Sequence, residues 1–209
     1  MKGHLGEIYK VIFIEPRIYS SGQYGEINIW EKKDQKFICI KSLKAFESNL
    51  YNLLQLNLNK FISCDNFGNL ICWNLQNFKQ ELKIKVVESY WNNEIAKIND
   101  IKILYGGKLY IQIINVKDNK IEKSIKISST VFSVALIDQN FFLYGDDRGN
   151  FEIRDINTLN KITHKNFLER RIKNIINYEY IYAAKKLNDN YFLICTNKKK
   201  IYLLKIQKK

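Results

Sequence analysis

The chain has 209 residues, 46% of them apolar and 13% aromatic, which is enough to bury a hydrophobic core and excludes disorder as the main state. No stretch approaches the roughly 18 apolar residues that a membrane span needs. The first residues carry charges where a signal peptide has its apolar stretch. We therefore expect no membrane segment and a cytoplasmic or nuclear location.

The formal net charge of +13 is concentrated at one end of the chain. Residues 161–209 contain 13 Lys or Arg and three acidic residues, a net charge of +10. The abundance of lysine is part of a wider bias in amino-acid composition, because Ile, Lys and Asn together make up 85 of the 209 residues. The basic end is thus either a solvated surface or a surface that attracts acidic proteins or nucleic acid.

Ten-residue stretches of the chain align without gaps and indicate an internal repeat of about forty residues. Four of them are SGQYGEINIW, CDNFGNLICW, GDDRGNFEIR and CTNKKKIYLL, and a looser fifth is YGGKLYIQII. In chain order they end at Trp30, Trp73, Ile114, Arg154 and Leu204, so the spacings are 43, 41, 40 and 50 residues. Apolar residues alternate in each stretch, which is typical of a strand with one buried face.

Further β-type runs before and after each stretch complete four short strands per repeat. In the first repeat they are VIFI, IYSS, INIW and FICIKSL. Gly25, Gly68 and Gly149 take the fifth position of their stretches, where a tight hairpin turn favours positive φ. We predict one domain, residues 1–209. Its repeats are placed near 3–43, 44–88, 89–127, 128–165 and 166–209.

On these features the sequence resembles the WD40-repeat β-propeller family. Gly3 and His4 precede the first strand, and His4 lies 26 residues before Trp30, which matches the GH…W spacing of that family. Trp73 holds the same position in the second repeat. The resemblance implies an all-β propeller of about five four-stranded repeats. It also gives structural roles to His4, the two tryptophans and the three turn glycines.

The turn residues depart from the family pattern. In the family, a His, a Ser or Thr, the Trp and an Asp in the turn are joined by buried hydrogen bonds. The Asp position here holds Tyr24, Phe67, Arg148 and Lys198. We therefore expect no blade to form the complete set, and the blades to depend on apolar packing against their neighbours.

The chain begins at the first strand of blade one and stops at the third strand of blade five. Either five reduced blades close on themselves, or the ring stays open with strand edges and an apolar flank exposed. The resemblance implies that a partner subunit can complete such a ring with a strand or blade, which main-chain hydrogen bonds would hold. The alternative is a reduced propeller that has no such partner.

The last spacing of 50 residues indicates an insertion at about residues 163–180. Apolar residues at helical spacing from Leu168 to Ile176 fit a short amphipathic helix. Its polar side would carry Arg170, Arg171 and Lys173, which could dock on an acidic protein or a phosphate backbone. The alternative is that this segment contains the outer strand of blade four.

Motifs of catalysis and of metal binding are missing from the sequence. There is no GxSxG, no phosphate-binding GxxxxGK[ST], no HExxH and no CxxC, and the four cysteines are not at zinc-ligand spacing. His4 is better explained as the structural histidine of the first repeat than as a base. We predict no catalytic residue, no metal, no cofactor and no small-molecule substrate.

Recognition is the remaining class of function. Equivalent turns of successive blades emerge on one face of a propeller, so Tyr24, Phe67, Arg148 and Lys198 should share that face. Aromatic and arginine side chains are frequent binding anchors. We predict a non-enzymatic scaffold subunit of a multiprotein assembly that binds other protein subunits. The alternative is an RNA-associated subunit of a ribonucleoprotein that uses residues 165–209.

Overall fold

The computed structural model describes residues 3–86, 93–162, 180–188 and 191–205, and these residues form strands and turns only. Alternation of apolar and polar residues produces the strands, as where Phe151 and Ile153 are buried while Glu152 and Arg154 are partly exposed. In chain order the strands are β1 (Ile8–Ile14), β2 (Arg17–Gly22), β3 (Glu26–Lys33), β4 (Lys36–Lys44), β5 (Leu50–Asn57), β6 (Lys60–Asp65), β7 (Asn69–Asn74), β8 (Gln80–Lys85), β9 (Glu94–Lys97), β10 (Lys102–Gly106), β11 (Lys108–Asn115), β12 (Lys120–Leu136), β13 (Phe141–Asp146), β14 (Phe151–Asp155), β15 (Ile181–Lys186), β16 (Tyr191–Thr196) and β17 (Ile201–Lys205).

Antiparallel pairing joins the strands into successive meanders. β1 to β4 form blade one and β5 to β8 form blade two. The long strand β12 belongs to two blades, because its first part pairs with β11 and its second part with β13. Blade three is thus β9 to β11 with the start of β12, blade four is the end of β12 with β13 and β14, and blade five is β15 to β17.

The fold is an all-β propeller whose inner strands pack in succession. β1 lies against β5, β5 against β9, β9 against β12, and β12 against β15. Among the described residues, blades four and five have three strands each instead of the expected four, and an isolated bridge between Arg154 and Lys161 extends blade four.

The hydrophobic core lies between the blades. Blades one and two bury Ile14, Ile27 and Leu53 against each other, and the rings of Tyr19 and Phe61 meet there at 5.1 Å. Equivalent clusters fill the interfaces between blades two and three, three and four, and four and five. Each sheet thus buries one face against the next, as repeat proteins do.

The outer faces of the first and last blades are exposed. Ile12 and Ile14 point into the core, whereas Val11 and Phe13, which alternate with them, are 53% and 64% exposed. In blade five, Ile201 and Leu203 are 70% and 61% exposed on the face opposite to the core. β1 and β15 do not pack together as the other successive inner strands do. The ring of described blades is therefore open.

The turn between the second and third strands has the same form in blades one, two, four and five. We refer to it as the b–c turn, since the strands of a blade are lettered a to d outwards from the axis. The residue at its fourth position has positive φ in these four blades, a conformation that glycine adopts without a steric penalty. These residues are Gly25 (72°), Gly68 (74°), Gly149 (74°) and Lys199 (58°). The corresponding turn of blade three is shorter, and its positive-φ residue, Leu109 (63°), lies at the start of β11.

Candidate interaction surfaces

A buried chain of hydrogen bonds fixes blade one. Trp30 Nε1 donates to Ser20 Oγ at 2.7 Å, and Ser20 Oγ lies 2.6 Å from His4 Nε2. His4 Nδ1 lies 2.6 Å from Glu26 Oε1, and it is the donor because the carboxylate accepts. The expectation that no blade forms the complete set is therefore wrong for blade one. Glu26, two residues after Tyr24, supplies the carboxylate.

Blades two and four use a carboxylate on the other side of the turn glycine. Asp65 and Asp146, which are 1% and 0% exposed, take the same position at the start of the b–c turn. Each accepts hydrogen bonds from two backbone amides of the turn and from an Asn side chain and a Ser hydroxyl. The donors to Asp65 are Phe67 N, Asn69 N, Asn69 Nδ2 and Ser48 Oγ, and those to Asp146 are Arg148 N, Asn150 N, Asn150 Nδ2 and Ser129 Oγ.

The two arrangements exclude each other within one blade. Gly22 holds the position of Asp65, and Glu26 holds the position of Asn69. A Cβ atom on Gly22 would collide with the Glu26 carboxylate and lie 2.7 Å from His4 Nδ1. Blade one therefore has glycine where blades two and four have aspartate.

The b–c turns present the predicted binding residues. Tyr24 and Phe67 are 51% and 38% exposed, and Arg148 and Lys198 are exposed at the same position of their turns. In blade three the residue aligned with them in the repeat is Lys108, which is exposed at the start of β11. We refer to the end of the propeller that carries these turns as the turn face.

Arg170, Arg171 and Lys173 lie outside the described residues, as does most of the predicted insertion at 163–180. The choice between a helix and a strand there stays a prediction.

Three adjacent lysines, Lys198 to Lys200, are exposed in the b–c turn of blade five.

Sequence patterns did not indicate a second group of aromatic residues, which surrounds the axis. In four blades the inner strand has a β-bulge against the second strand, and the extra residue at each bulge is aromatic. In blade three, where this part of the inner strand pairs regularly, the equivalent residue is Glu94. The four bulged residues are Tyr9, Tyr51, Phe132 and Tyr182.

These bulged residues and Glu94 line one cavity of about 210 Å³, which we call the axial pocket. The rings of Tyr9 and Tyr51 are 4.6 Å apart, and those of Phe132 and Tyr182 are nearly parallel at 5.7 Å. Burial, with contributions from Glu7 and Tyr51, raises the pKa of Tyr9 to about 12. The Tyr9 ring is therefore neutral at physiological pH.

Polar groups complete the axial pocket. Glu94 Oε1 lies 3.3 Å from Lys10 Nζ, and Asn52 Nδ2 donates to Glu94 Oε2 at 3.1 Å. Asn52 also donates to the carbonyl of Asn93, and Asn93 Nδ2 donates to the carbonyl of Asp65 at 2.7 Å. The side-chain oxygens of Asn52 and Asn93 are buried and accept no hydrogen bond from the described residues. The lining of the pocket thus includes two acceptors that lack a donor among the described residues.

The Ser20–His4–Glu26 arrangement has the connectivity of a hydrolytic triad. Its serine is only 2% exposed, and the indole of Trp30 already donates to the serine oxygen. These contacts assign the three residues to blade structure.

Among the described residues there is no cluster of three or more metal-ligating side chains and no helix long and apolar enough to cross a membrane.

Comparison with solved structures shows the class of fold to be the WD40 β-propeller. The chain is similar to the WD40 β-propeller domain of Doa1, with 12% identity and a TM-score of 0.78 over 99% of this chain and 66% of that one. It is also similar to a chain of a mitotic checkpoint complex, with 11% identity, a TM-score of 0.80, and coverage of 100% and 66%. The computationally designed Ika8 protein gives 15% identity, a TM-score of 0.76, and coverage of 98% and 60%.

The chain thus spans less than two thirds of the length of these structures. No protein-family model and no curated protein sequence matches it.

Proposed function

We propose that this chain is a non-enzymatic protein-interaction module, a subunit of a multiprotein assembly in the cytoplasm or nucleus, that binds its partner on the turn face. The observation that carries the proposal is the exposure of Tyr24, Phe67 and Arg148 at the same position of the b–c turns of blades one, two and four. Aromatic and arginine side chains are enriched among the residues that supply most of the binding energy of protein interfaces, which makes them suitable anchors. The similar chain from a checkpoint complex, a multiprotein assembly by its description, is consistent with this role.

A second contact of the same module is proposed at the open ends of the ring. Val11 and Phe13 on blade one and Ile201 and Leu203 on blade five expose apolar surface of the kind that soluble proteins usually cover. A β-sheet with one apolar face would extend the blade stacking. A protein partner that donates a blade would cover both faces.

The test is affinity purification of the tagged chain from its own cells, with quantitative mass spectrometry. We compare the wild type with the double variant Tyr24→Ser, Phe67→Ser. The matched control is Phe37→Ser, Ile38→Ser, which changes two side chains of β4 with similar exposure, 37% and 39%. The proposal expects the turn variant to lose a stoichiometric partner while the control and the melting temperature stay unchanged. Equal loss in both variants, or none in either, would contradict it.

The alternative of RNA association draws on the basic residues 165–209, including the exposed Lys198 to Lys200. Lysines that neutralise phosphates give binding that weakens steeply with salt. Nuclease treatment of half of each sample, and washing at rising salt, separates the two functions. Partners lost on nuclease treatment would support an RNA-associated subunit and refute the protein-scaffold proposal.

A further inference from the structure

We propose that the axial pocket binds the protonated side chain of an arginine or lysine that a partner segment inserts from the turn face. The inference rests on the proposed function, because it specifies the chemistry of the partner that this face receives. Its ligand is a cation that carries N–H groups, as opposed to a quaternary ammonium.

The first argument is the repeated placement of aromatic rings. A bulge adds an unpaired residue and turns its side chain out of the regular strand pattern. In four inner strands a bulge places an aromatic residue at the same cavity. One of the four, Tyr182, is 50% exposed. The face of an aromatic ring attracts a cation, and several faces around one cavity attract it jointly.

The second argument is the presence of two hydrogen-bond acceptors without a donor. Asn52 and Asn93 are 3% and 1% exposed, line the pocket, and have side-chain oxygens without a donor among the described residues. The orientation of both amides is fixed, since each nitrogen donates to a backbone carbonyl. With the Glu94 carboxylate these oxygens form an acceptor set that a guanidinium or primary ammonium satisfies. A trimethylated ammonium has no N–H to offer them.

The third argument concerns Lys10, whose ammonium lies 3.3 Å from Glu94 in the pocket. Both side chains are partly exposed, at 33% and 26%, so this ion pair is weak and exchangeable. Lys10 pairs with the Glu94 carboxylate in the free protein. We infer that the ligand cation displaces the Lys10 ammonium from this carboxylate. Lys97, Lys185 and Lys186 line the neighbouring cavity, which shares Lys10 and Glu94, and their charge opposes deeper entry of a cation.

The experiment uses the purified full chain and four heptapeptides, Gly-Ser-Gly-X-Gly-Ser-Gly, in which X is arginine, lysine, trimethyllysine or methionine. Binding is followed by protein-observed NMR titration, which measures weak dissociation constants. The arginine and lysine peptides should bind with Kd of about 1 mM or below. Trimethyllysine should bind at least about threefold more weakly than lysine, and methionine should not bind.

Three variants localise the site. Glu94→Gln should weaken arginine-peptide binding about tenfold, since it removes the charge that the cation faces. Lys10→Met should strengthen it about threefold or more, since it removes the internal competitor. The matched control is Glu47→Gln, which makes the same charge change on a side chain that is 92% exposed in the loop after β4. It should leave Kd unchanged.

Several results would overturn the proposal. They are an unchanged Kd in Glu94→Gln, weaker binding in Lys10→Met, or trimethyllysine binding as tightly as lysine. If Glu94→Gln lowers the melting temperature, Tyr51→Leu provides a second test in which the ring is lost and the charges stay. Failure of the peptides to bind, with partner loss in the Tyr24 and Phe67 variant, would remove this inference and leave the proposed function standing.

Discussion

Asp65 and Asp146 each accept a hydrogen bond from a serine that lies three residues before the bulged aromatic residue of the same blade. Ser48 precedes Tyr51 in this way, and Ser129 precedes Phe132. One carboxylate therefore connects the b–c turn to the inner strand at the point where the strand bulges toward the axis. The turn face and the axial pocket are positioned by the same buried group.

The first prediction concerns these two carboxylates. Asp65→Ala and Asp146→Ala should each lower the free energy of unfolding by about 2–4 kcal/mol, since they leave buried turn amides without an acceptor. Urea denaturation followed by fluorescence measures the change. Glu47→Ala, at a side chain that is 92% exposed, serves as the control and should cost under about 0.5 kcal/mol. Equal effects in all three would show that the carboxylates do not hold the turns.

The second prediction compares the two tryptophan anchors. Trp30 donates to Ser20 at 2.7 Å and Trp73 donates to Ser63 at 2.8 Å, but only Ser20 is also bonded to a histidine. Ser63→Ala should cost about 1 kcal/mol and Ser20→Ala about 2 kcal/mol of unfolding free energy, one hydrogen bond against two. Equal losses in paired denaturation curves would mean that His4 does not contribute to the stability of blade one.

The resemblance to the WD40 family, which rests on the repeat period and the GH…W spacing, predicted the β-propeller fold, because strand alternation and turn residues are local features of the sequence. The equivalent positions of Trp30 and Trp73 in the first two repeats were likewise predicted from the sequence. Glu26 was missed because the family pattern directs attention to the turn residue Tyr24, whereas a longer side chain two residues later reaches His4.

The axial pocket was not predicted for a different reason. A β-bulge is a mismatch between two strands, so it cannot be located from the hydrophobic pattern of one strand alone. The Tyr or Phe at each bulge is one of 25 such residues in the chain. The available signal was an aromatic residue that directly follows an aliphatic one at the start of an inner strand, as in Leu50–Tyr51, Val131–Phe132 and Ile181–Tyr182.

The third prediction transfers the turn chemistry of blade two to blade one. Gly22→Asp alone should destabilise the protein by about 2 kcal/mol or more, because the new side chain collides with the Glu26 carboxylate and repels its charge. Adding Glu26→Asn should recover part of this loss, since Asn69 shows that an amide there can donate to an aspartate. A double-mutant cycle measures the coupling. Purely additive losses would refute the equivalence of the two turns.

The fourth prediction concerns acid stability and depends on a repeated lysine–glutamate pair. Lys60 lies 2.8 Å from Glu81 in blade two, and Lys102 lies 2.6 Å from Glu122 in blade three. Hydrogen bonds from these lysines, followed by those from Asn74 and Asn115, lower the pKa of Glu81 and of Glu122. In the unfolded chain both carboxyls return to the ordinary glutamate pKa of about 4.3.

A lowered pKa in the folded state means that the unfolded state binds protons more readily. The contribution of both pairs is therefore present above about pH 4.3 and is lost as the pH falls through the folded pKa values. Urea denaturation between pH 3 and pH 7 should show stability falling on the acid side. The double variant Lys60→Met, Lys102→Met should reduce that slope, while Lys36→Met, at an exposed lysine of β4, should preserve it. An unchanged slope in the double variant would mean that other carboxylates govern acid unfolding.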